Sequence, residues 1–210
     1  LLHIRSNRHD VNYHFSQILR AQLSPFLKVD DMVHGFCYLD SRDLTGFVDG
    51  TENPYGDNRV QVALVNDDNE FNQGSYVHLQ KYVHNIPRWE QLSLAEQEAS
   101  YGRSKVENIE FSATQKSSCA HTKRASVKDK HSNSVEILRQ SLPWADQHAQ
   151  GLMFASFAAS PDNFNLMLQS MCQIDQSAQC DAILNVSKAV SGDAFFAPPL
   201  RWFKHLIKSS

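Results

Sequence analysis

The stretch GSYVHLQKYV, residues 74–83, alternates between two kinds of side chain. Val77, Leu79 and Val83 fall on one side of an extended chain, and a polar or aromatic set falls on the other. Because successive side chains of a strand point to opposite faces of a sheet, this alternation predicts a β-strand. The strand is the reference from which the rest of the chain is interpreted.

Local signals place further elements after this strand. They are, in order, a helix from the capping box Ser93–Glu96 to about Tyr101, strands at residues 135–139 and 152–158, a helix from Pro161 after an N-cap at Ser160, and a strand at residues 194–197. The order strand, helix, strand, strand, helix, strand is that of the ferredoxin-like split βαβ unit. We therefore predict an α+β fold, an antiparallel sheet with helices packed on one face.

The N-terminal part of the chain is predicted to end another such unit. Apolar patterning predicts a helix over residues 10–23 and strands at residues 1–4 and 32–39. Residues 57–73 and 110–130 are polar, which indicates loops or connectors. The predicted fold is thus a tandem of ferredoxin-like halves, with residues 1–40 as the remainder of the first half and residues 41–210 as the second.

The composition is that of an ordinary globular protein. Of 210 residues, 41% are hydrophobic and 20% are charged, and the net charge of −3 predicts no nucleic-acid surface. Since no run of 18 apolar residues occurs, we expect no membrane span. The four cysteines form no CxxC pair, which favours reduced thiols over a zinc site or a disulfide framework and indicates a cytoplasmic location.

The sequence GFVDGT, residues 46–51, is the strongest candidate for a functional loop. It places one acid, Asp49, between two glycines and directly after an apolar pair. Glycine allows a backbone to approach a ligand closely and to adopt positive φ. The pattern suits a cofactor pocket with a single carboxylate in an apolar wall. The ordinary alternative is an Asx turn in which Asp49 only stabilises the loop.

This loop and several other segments resemble those of the dye-decolourising peroxidases, a family of haem enzymes. The loop matches the GxxDG signature, and the further segments follow in family order: RHDVN (8–12), SRDLT (41–45), GRSK (102–105), CAHT (119–122), LRQSLP (138–143) and AVSGDAFFAP (189–198). The signature alone is short, but the ordered set covers nearly the whole chain. The resemblance implies haem b as cofactor and bacterial cytoplasmic members as the nearest group. It also implies a chain that lacks the N-terminal third of the family.

The resemblance implies that His121 is the axial ligand of the haem iron. From the residues alone, any of the ten histidines could be the iron ligand. His84 and His9 are the main alternatives to His121, because they also lie in family-like segments. A ligating histidine normally donates its second N–H to an acceptor. By resemblance this acceptor is Asp181, with Asp175 as the alternative. Asp181 also fits a simple helix N-cap.

The resemblance places a catalytic group on the opposite side of the haem. Asp49 would move the peroxide proton, Arg139 would stabilise developing charge, and Ser141 would face the same side as Arg139 because it lies two residues further along an extended chain. The remaining implied haem contacts are Gly50, Thr51, Arg103 for a propionate, and Phe154 for the porphyrin face. Arg139 and Arg103 have an alternative as surface cations, and Phe154 has one as plain core.

The implied activity is that of a haem peroxidase, which uses hydrogen peroxide to oxidise small aromatic electron donors such as dyes, phenols or porphyrinogens through a ferryl intermediate. The expected partners are peroxide, these donors and further copies of the chain in a homo-oligomer, without nucleic acid or membrane. Two alternatives remain open. One is a haem-binding or haem-processing protein with little peroxidase activity, and the other is a ferredoxin-like module without haem.

Overall fold

The computed structural model describes residues 1–66, 70–175 and 179–208, with side chains up to residue 204. The chain forms two compact units, Leu1–His34 and Gly35–Ser210. In the first unit, α1 (His9–Leu23) confirms the predicted helix. Residues 1–8 form no strand, so the strand predicted at residues 1–4 is wrong. The predicted division into ferredoxin-like halves after residue 40 stays a prediction.

The second unit is built on a five-stranded antiparallel sheet. Its strands are β1 (Ser75–His84), β2 (Leu138–Arg139), β3 (Leu142–Ala145), β4 (Gln150–Ala158) and β5 (Ser187–Ala197). The sheet order is β2-β4-β1-β5, and β3 also pairs with β4. Since β4 lies between β1 and β2, the topology is the predicted split βαβ arrangement. The alternating stretch of residues 74–83 forms most of the central strand β1, which is paired on both sides along its length.

Helices complete the second unit. They are α2 (Asn58–Ala63), α3 (Ile86–Glu90), α4 (Leu94–Tyr101), α5 (His121–Arg124), α6 (Pro161–Cys172), a 3₁₀ helix (Ala182–Asn185) and α7 (Leu200–Lys208). The capping box at Ser93 and Glu96 is formed as predicted. The N-cap at Ser160 is also confirmed, because its hydroxyl accepts from the backbone N–H of Asp162 at 3.3 Å. No helix in the described part of the chain has the length and apolarity of a membrane span.

Four sequence predictions were wrong for identifiable physical reasons. The strand predicted at residues 32–39 is only a single bridge from Gly35 to Trp144. The strand predicted at residues 135–139 is confined to β2, since Val135 bonds to Val127 across a local turn. The two polar segments predicted as loops or connectors contain the short helices α2 and α5. Trp144, the partner of Gly35, is distant in sequence, whereas Val127, the partner of Val135, is nearby. The helices α2 and α5 are too short to show a periodic pattern.

Two clusters of buried side chains form the core of the second unit. One joins Phe47 and Trp89 to Ile183 and Val186, and the other joins Ile137, Ala158 and Phe164. Members of both clusters also line the same internal cavity. The core is therefore not closed, and the cavity is where its two parts meet.

Candidate functional site

The second unit contains a partly enclosed cavity of about 390 Å³. This volume lies within the range of roughly 300–1,000 Å³ that is usual for small-molecule and cofactor sites. Its apolar wall includes Ile137, Leu152, Phe154, Phe164, Met167 and Leu168. Six of the predicted site residues line it, namely Asp49, Thr51, Arg103, His121, Arg139 and Phe154. The tertiary structure thus brings together segments that are far apart in the sequence, such as those of Asp49, Arg139 and Phe154.

His121 begins α5 at the wall of the cavity. Its Nδ1 atom lies 2.7 Å from Oδ2 of Asp181, a residue with no exposed surface. The other carboxylate oxygen, Oδ1, accepts from the backbone N–H of Ile183 at 3.0 Å and so caps the 3₁₀ helix. The two alternatives left open for Asp181, histidine partner and helix cap, are therefore both present in one carboxylate. Nε2 is then the ring nitrogen available to a metal.

The rival residues have other partners. Asp175 accepts from Arg124 Nη2 at 3.0 Å and from Ser118 at 2.9 Å. Both ring nitrogens of His84 are within hydrogen-bond distance of protein groups, Nε2 of Asp43 at 3.2 Å and Nδ1 of Ser187 at 2.8 Å. His9 belongs to the first unit. Among the described residues no group of three or more His, Cys, Asp or Glu side chains is placed to hold a metal ion.

The GxxDG loop places Asp49 opposite Arg139. Gly46 and Gly50 adopt φ values of +87° and +77°, which L side chains rarely reach. Asp49 Oδ1 accepts from the backbone N–H of Gly50 at 2.7 Å and lies 3.7 Å from Arg139 Nη1. Each side chain is about a quarter exposed, at 25% and 24%. The carboxylate and the guanidinium therefore face a shared space without making a tight, closed ion pair.

Asn53 holds this arrangement together, and the sequence analysis did not assign it a role. Its amide nitrogen donates to the backbone carbonyl of Arg139 at 2.9 Å, and its amide oxygen accepts from the backbone N–H of Arg139 at 2.8 Å. The Asn53 side chain thus joins the GxxDG loop to β2, because its amide group pairs with both backbone groups of Arg139 as a neighbouring strand would. Its position directly after the loop, in the sequence TENP, was the only signal available.

The other predicted residues differ in their placement. Arg103 is buried, donates through Nη2 to the carbonyl of Asn108 at 3.1 Å, and keeps Nε without a hydrogen-bond partner among the described atoms. Phe154 packs against Phe164 on the cavity wall. Gly50 and Ser141 are not part of the lining. Ser141 lies beyond the end of β2, and its hydroxyl accepts from the backbone N–H of Ala155 at 3.3 Å.

Comparison with known proteins agrees with this geometry. The model of the family "Dyp-type peroxidase, C-terminal" matches residues 40–202. The dye-decolorizing peroxidase of Mycobacterium tuberculosis is 35% identical over 208 residues, which cover 98% of this chain and 62% of that protein. The corresponding protein of Rhodococcus erythropolis is 37% identical, with 94% and 59% covered. This chain belongs to the dye-decolourising peroxidase family. It spans about 60% of the length of these curated relatives.

Solved structures of dye-decolourising peroxidases share the fold. A dyp-type peroxidase from Shewanella oneidensis superposes with a TM-score of 0.93 at 42% identity, over 96% of this chain and 66% of the other. A variant of Rhodococcus jostii DypB in complex with heme gives a TM-score of 0.88 at 36% identity, over 92% and 64%. At these identities the α+β, ferredoxin-like fold of this family member is established.

This member of the family also has a buried polar network beside the cavity, which the sequence did not predict. Asp43 is 6% exposed and accepts from the backbone N–H and the hydroxyl of Thr45 at 3.1 and 2.7 Å. Burial raises the pKa of Asp43, but the hydrogen bonds from His84 and Thr45 outweigh it and lower the pKa below its ordinary value. The Asp43 carboxylate is therefore ionised in the folded protein at neutral pH.

Proposed function

We propose that this chain binds haem b in the cavity, with Nε2 of His121 as the axial ligand of the iron. The observation that carries the proposal is the contact between His121 Nδ1 and the fully buried Asp181, in a cavity that Asp49 and Arg139 also line. A carboxylate behind a ligating imidazole fixes its tautomer and orientation and makes it a stronger donor. The similarity of this chain to Rhodococcus jostii DypB, a variant of which was solved in complex with heme, supports haem as the ligand of the cavity.

The residues present fit an iron porphyrin. The aromatic and aliphatic side chains of the wall, such as Phe154, Phe164 and Leu168, suit the apolar faces of the macrocycle. Arg103 is a buried cation on the same wall, and its Nε atom is without a partner among the described residues. Arg103 Nη1 already lies 3.8 Å from the exposed carboxylate of Glu52, but the unused Nε donor favours a further acceptor, since an unpaired buried polar group is costly. A haem propionate would supply it.

We further propose peroxidase activity, with hydrogen peroxide as the oxidant. When bound, the haem iron would supply the centre at which the O–O bond is broken. Asp49 would take a proton from one peroxide oxygen and return it to the other, directly or through a water molecule. The permanent charge of Arg139 would stabilise the departing oxygen. Ser141, whose hydroxyl accepts from the backbone N–H of Ala155 and keeps its O–H to donate, would be a further hydrogen-bonding group for peroxide.

The finer features of the function rest on family resemblance and are proposals of the same kind. They are the ferryl intermediate, the oxidation of dyes, phenols or porphyrinogens, a homo-oligomeric state and a cytoplasmic location. The cavity is lined largely by apolar and aromatic side chains, which suits small aromatic donors. These donors would give up one electron at a time.

Titration of the chain with haem tests the first proposal. We expect a sharp Soret band for the wild type and its loss or displacement in His121→Ala, with His148→Ala as a control histidine outside the cavity. Addition of one equivalent of peroxide then tests the second. A rapid spectral change that Asp49→Asn and Arg139→Leu slow would support the peroxidase. Haem uptake without a response to peroxide would instead favour a haem-binding or haem-processing protein.

A further inference from the structure

A continuous string of hydrogen bonds runs through the polar network beside the cavity. Tyr101 OH lies 2.8 Å from Thr45 Oγ1, and Thr45 Oγ1 lies 2.7 Å from Asp43 Oδ2. From the other side, Ser187 Oγ lies 2.8 Å from His84 Nδ1, and His84 Nε2 lies 3.2 Å from Asp43 Oδ1. Four of its five members, all except Thr45, line the cavity. The proposed proton shuttle and iron ligand use none of them.

The chemistry of the groups fixes the direction of these bonds. An ionised carboxylate only accepts, so the Thr45 hydroxyl must donate to Asp43 and can then only accept from the Tyr101 phenol. By the same rule His84 donates through Nε2 to Asp43, and its Nδ1 lies within hydrogen-bond distance of the Ser187 hydroxyl. The hydrogen bonds from Thr45 and from His84 therefore both point toward Asp43. A proton that leaves the Tyr101 phenol can pass along these hydrogen bonds, through Thr45, to this carboxylate.

The position of Tyr101 matches this path. Its ring meets the ring of His121 edge to face at a centroid distance of 5.9 Å, and it stacks on Phe47 at 4.0 Å. The phenol is thus in contact with the imidazole proposed to bind the iron, and its hydroxyl has Thr45 as a partner. Tyr82, the other tyrosine on the cavity wall, differs because its hydroxyl donates to the amide oxygen of Gln80 at 2.6 Å. An amide oxygen is no base for a phenol proton.

We propose that Tyr101 is a redox-active tyrosine, which gives one electron to the peroxide-oxidised haem while its proton moves through Thr45 to Asp43. The inference rests on the proposed function, since that haem is the oxidant. The O–H bond of Tyr101 breaks, the Thr45 oxygen gains this proton and passes its own to Asp43, and a neutral tyrosyl radical remains. An electron donor later reduces the radical, and the proton returns along the same string. His84 stabilises the temporary change of charge at Asp43.

Proton movement is required because an oxidised phenol is a very strong acid. The electron can leave readily only if the proton leaves with it, and a buried tyrosine without a nearby base has nowhere to send it. Asp43 is a suitable acceptor that is already hydrogen-bonded to Thr45. His84 and Ser187, at the other end of the hydrogen-bonded chain, also line a second, open cleft of about 1010 Å³. Solvent in this cleft can screen the change of charge that follows protonation of Asp43.

Freeze-quench electron paramagnetic resonance of the haem-loaded chain, after one equivalent of hydrogen peroxide, tests the proposal. We expect a tyrosyl radical signal that narrows when the protein is labelled with ring-deuterated tyrosine. Tyr101→Phe should abolish the signal, and the matched control Tyr82→Phe should retain it. Thr45→Val keeps nearly the shape of the side chain but removes the hydroxyl that relays the proton, so it should also abolish the signal. Thr45→Ser keeps the hydroxyl and should show the signal.

The haem absorption spectrum of the same samples separates two kinds of failure. If peroxide changes the spectrum but Tyr101→Phe retains the tyrosyl signal, the redox role of Tyr101 is wrong and the proposed function stands. If peroxide leaves the spectrum unchanged, both proposals fail. Should Thr45→Val not fold, the wild type in D₂O provides the second measurement. The radical should then form more slowly than in H₂O, and an equal rate would exclude the proton path.

Discussion

The Nδ1 atom of His121 lies 2.7 Å from Oδ2 of Asp181, although the two residues are separated by 60 positions. The carboxylate has no exposed surface and is held in place by the backbone of Ile183. The fold thus fixes an acceptor at the back of the imidazole before any ligand binds. This preorganisation restricts the orientation of the ring and leaves one defined nitrogen for coordination.

Replacement of Asp181 by Asn should weaken haem binding about 10–100-fold, the usual cost of losing such an outer partner. The reduction potential of the haem iron should rise, because the imidazole becomes a poorer electron donor. Spectroscopic haem titration and a redox titration measure both effects. Asp175→Asn is the matched control, since Asp175 pairs with Arg124 and not with His121. Equal effects of the two variants would contradict the assignment.

Arg139→Leu should slow the reaction of the haem-loaded chain with peroxide by about 10²–10³-fold, because a preorganised positive donor is lost. Asp49→Asn should slow it by about 10²–10⁴-fold through loss of the proton shuttle. The second-order rate constant from stopped-flow absorbance measures both. Arg88→Leu removes an exposed arginine outside the cavity and should leave the rate unchanged. An unaffected rate in both cavity variants would remove these residues from the proposed chemistry.

Asn53→Ala should lower the free energy of unfolding by about 1–3 kcal/mol, because two backbone groups of Arg139 lose their partner. Urea denaturation measures the change. The peroxide rate should fall as well, since Arg139 is no longer held opposite Asp49. Asn163→Ala, which removes a single exposed bond to the carbonyl of Glu136, is the control and should have a smaller effect on stability and none on the rate.

Gly151→Ala should destabilise the sheet by about 1–3 kcal/mol or more, as overpacking does. A Cβ atom at this position would lie 2.0 Å from the carbonyl oxygen of Tyr82, which is backbone in the adjacent strand and cannot rotate away. Gly192→Ala on β5 is the control, because its Cβ would meet the side chain of Gln80 at an ordinary 3.5 Å. Thermal unfolding of both variants measures the difference. Equal melting temperatures would mean that the strands can separate without cost.

Asp43→Asn should make stability less dependent on acid pH. The native pKa of Asp43 lies below the ordinary value of 3.8, so its stabilising effect is complete above about pH 3.8 and is lost as the pH falls through the native pKa. We expect the variant to be less stable by about 1.5–3 kcal/mol at pH 7, the value of hydrogen bonds to a charged group. The difference should shrink below pH 3.8. Unfolding curves at several pH values measure it, and a constant difference would contradict the lowered pKa.

Local signals in the sequence predicted much of the second unit. The alternation of residues 74–83, the capping box at Ser93 and the N-cap at Ser160 each depend on residues within a few positions of one another. Such interactions are formed by neighbours in the chain, so they are visible without a structure. Pairing across the sheet was less predictable, and β2 proved shorter than its apolar stretch because residues 127–135 fold back on themselves.

The site was predictable only in part, for a related reason. Segment order identified the family and the residues Asp49, His121 and Arg139, but it left Asp181 and Asp175 as alternatives. The bonds from Asn53 to Arg139 and from Tyr101 through Thr45 to Asp43 had no signature, since an amide or hydroxyl gives no periodic pattern. Ser141 shows the opposite case, because its spacing from Arg139 suggested a shared face of one strand, whereas β2 ends at Arg139 and Ser141 is not part of the cavity lining.

The sequence by itself determined the α+β class, the central strand, the helix caps and the family, because these depend on side-chain periodicity and on contiguous motifs. Only the tertiary structure decided which carboxylate stands behind His121 and which amide holds Arg139. It also decided that a tyrosine, a threonine and an aspartate share one string of hydrogen bonds. These choices depend on distances of about 3 Å between residues far apart in the chain. The packing of the sheet and helices, not any local preference, sets such distances.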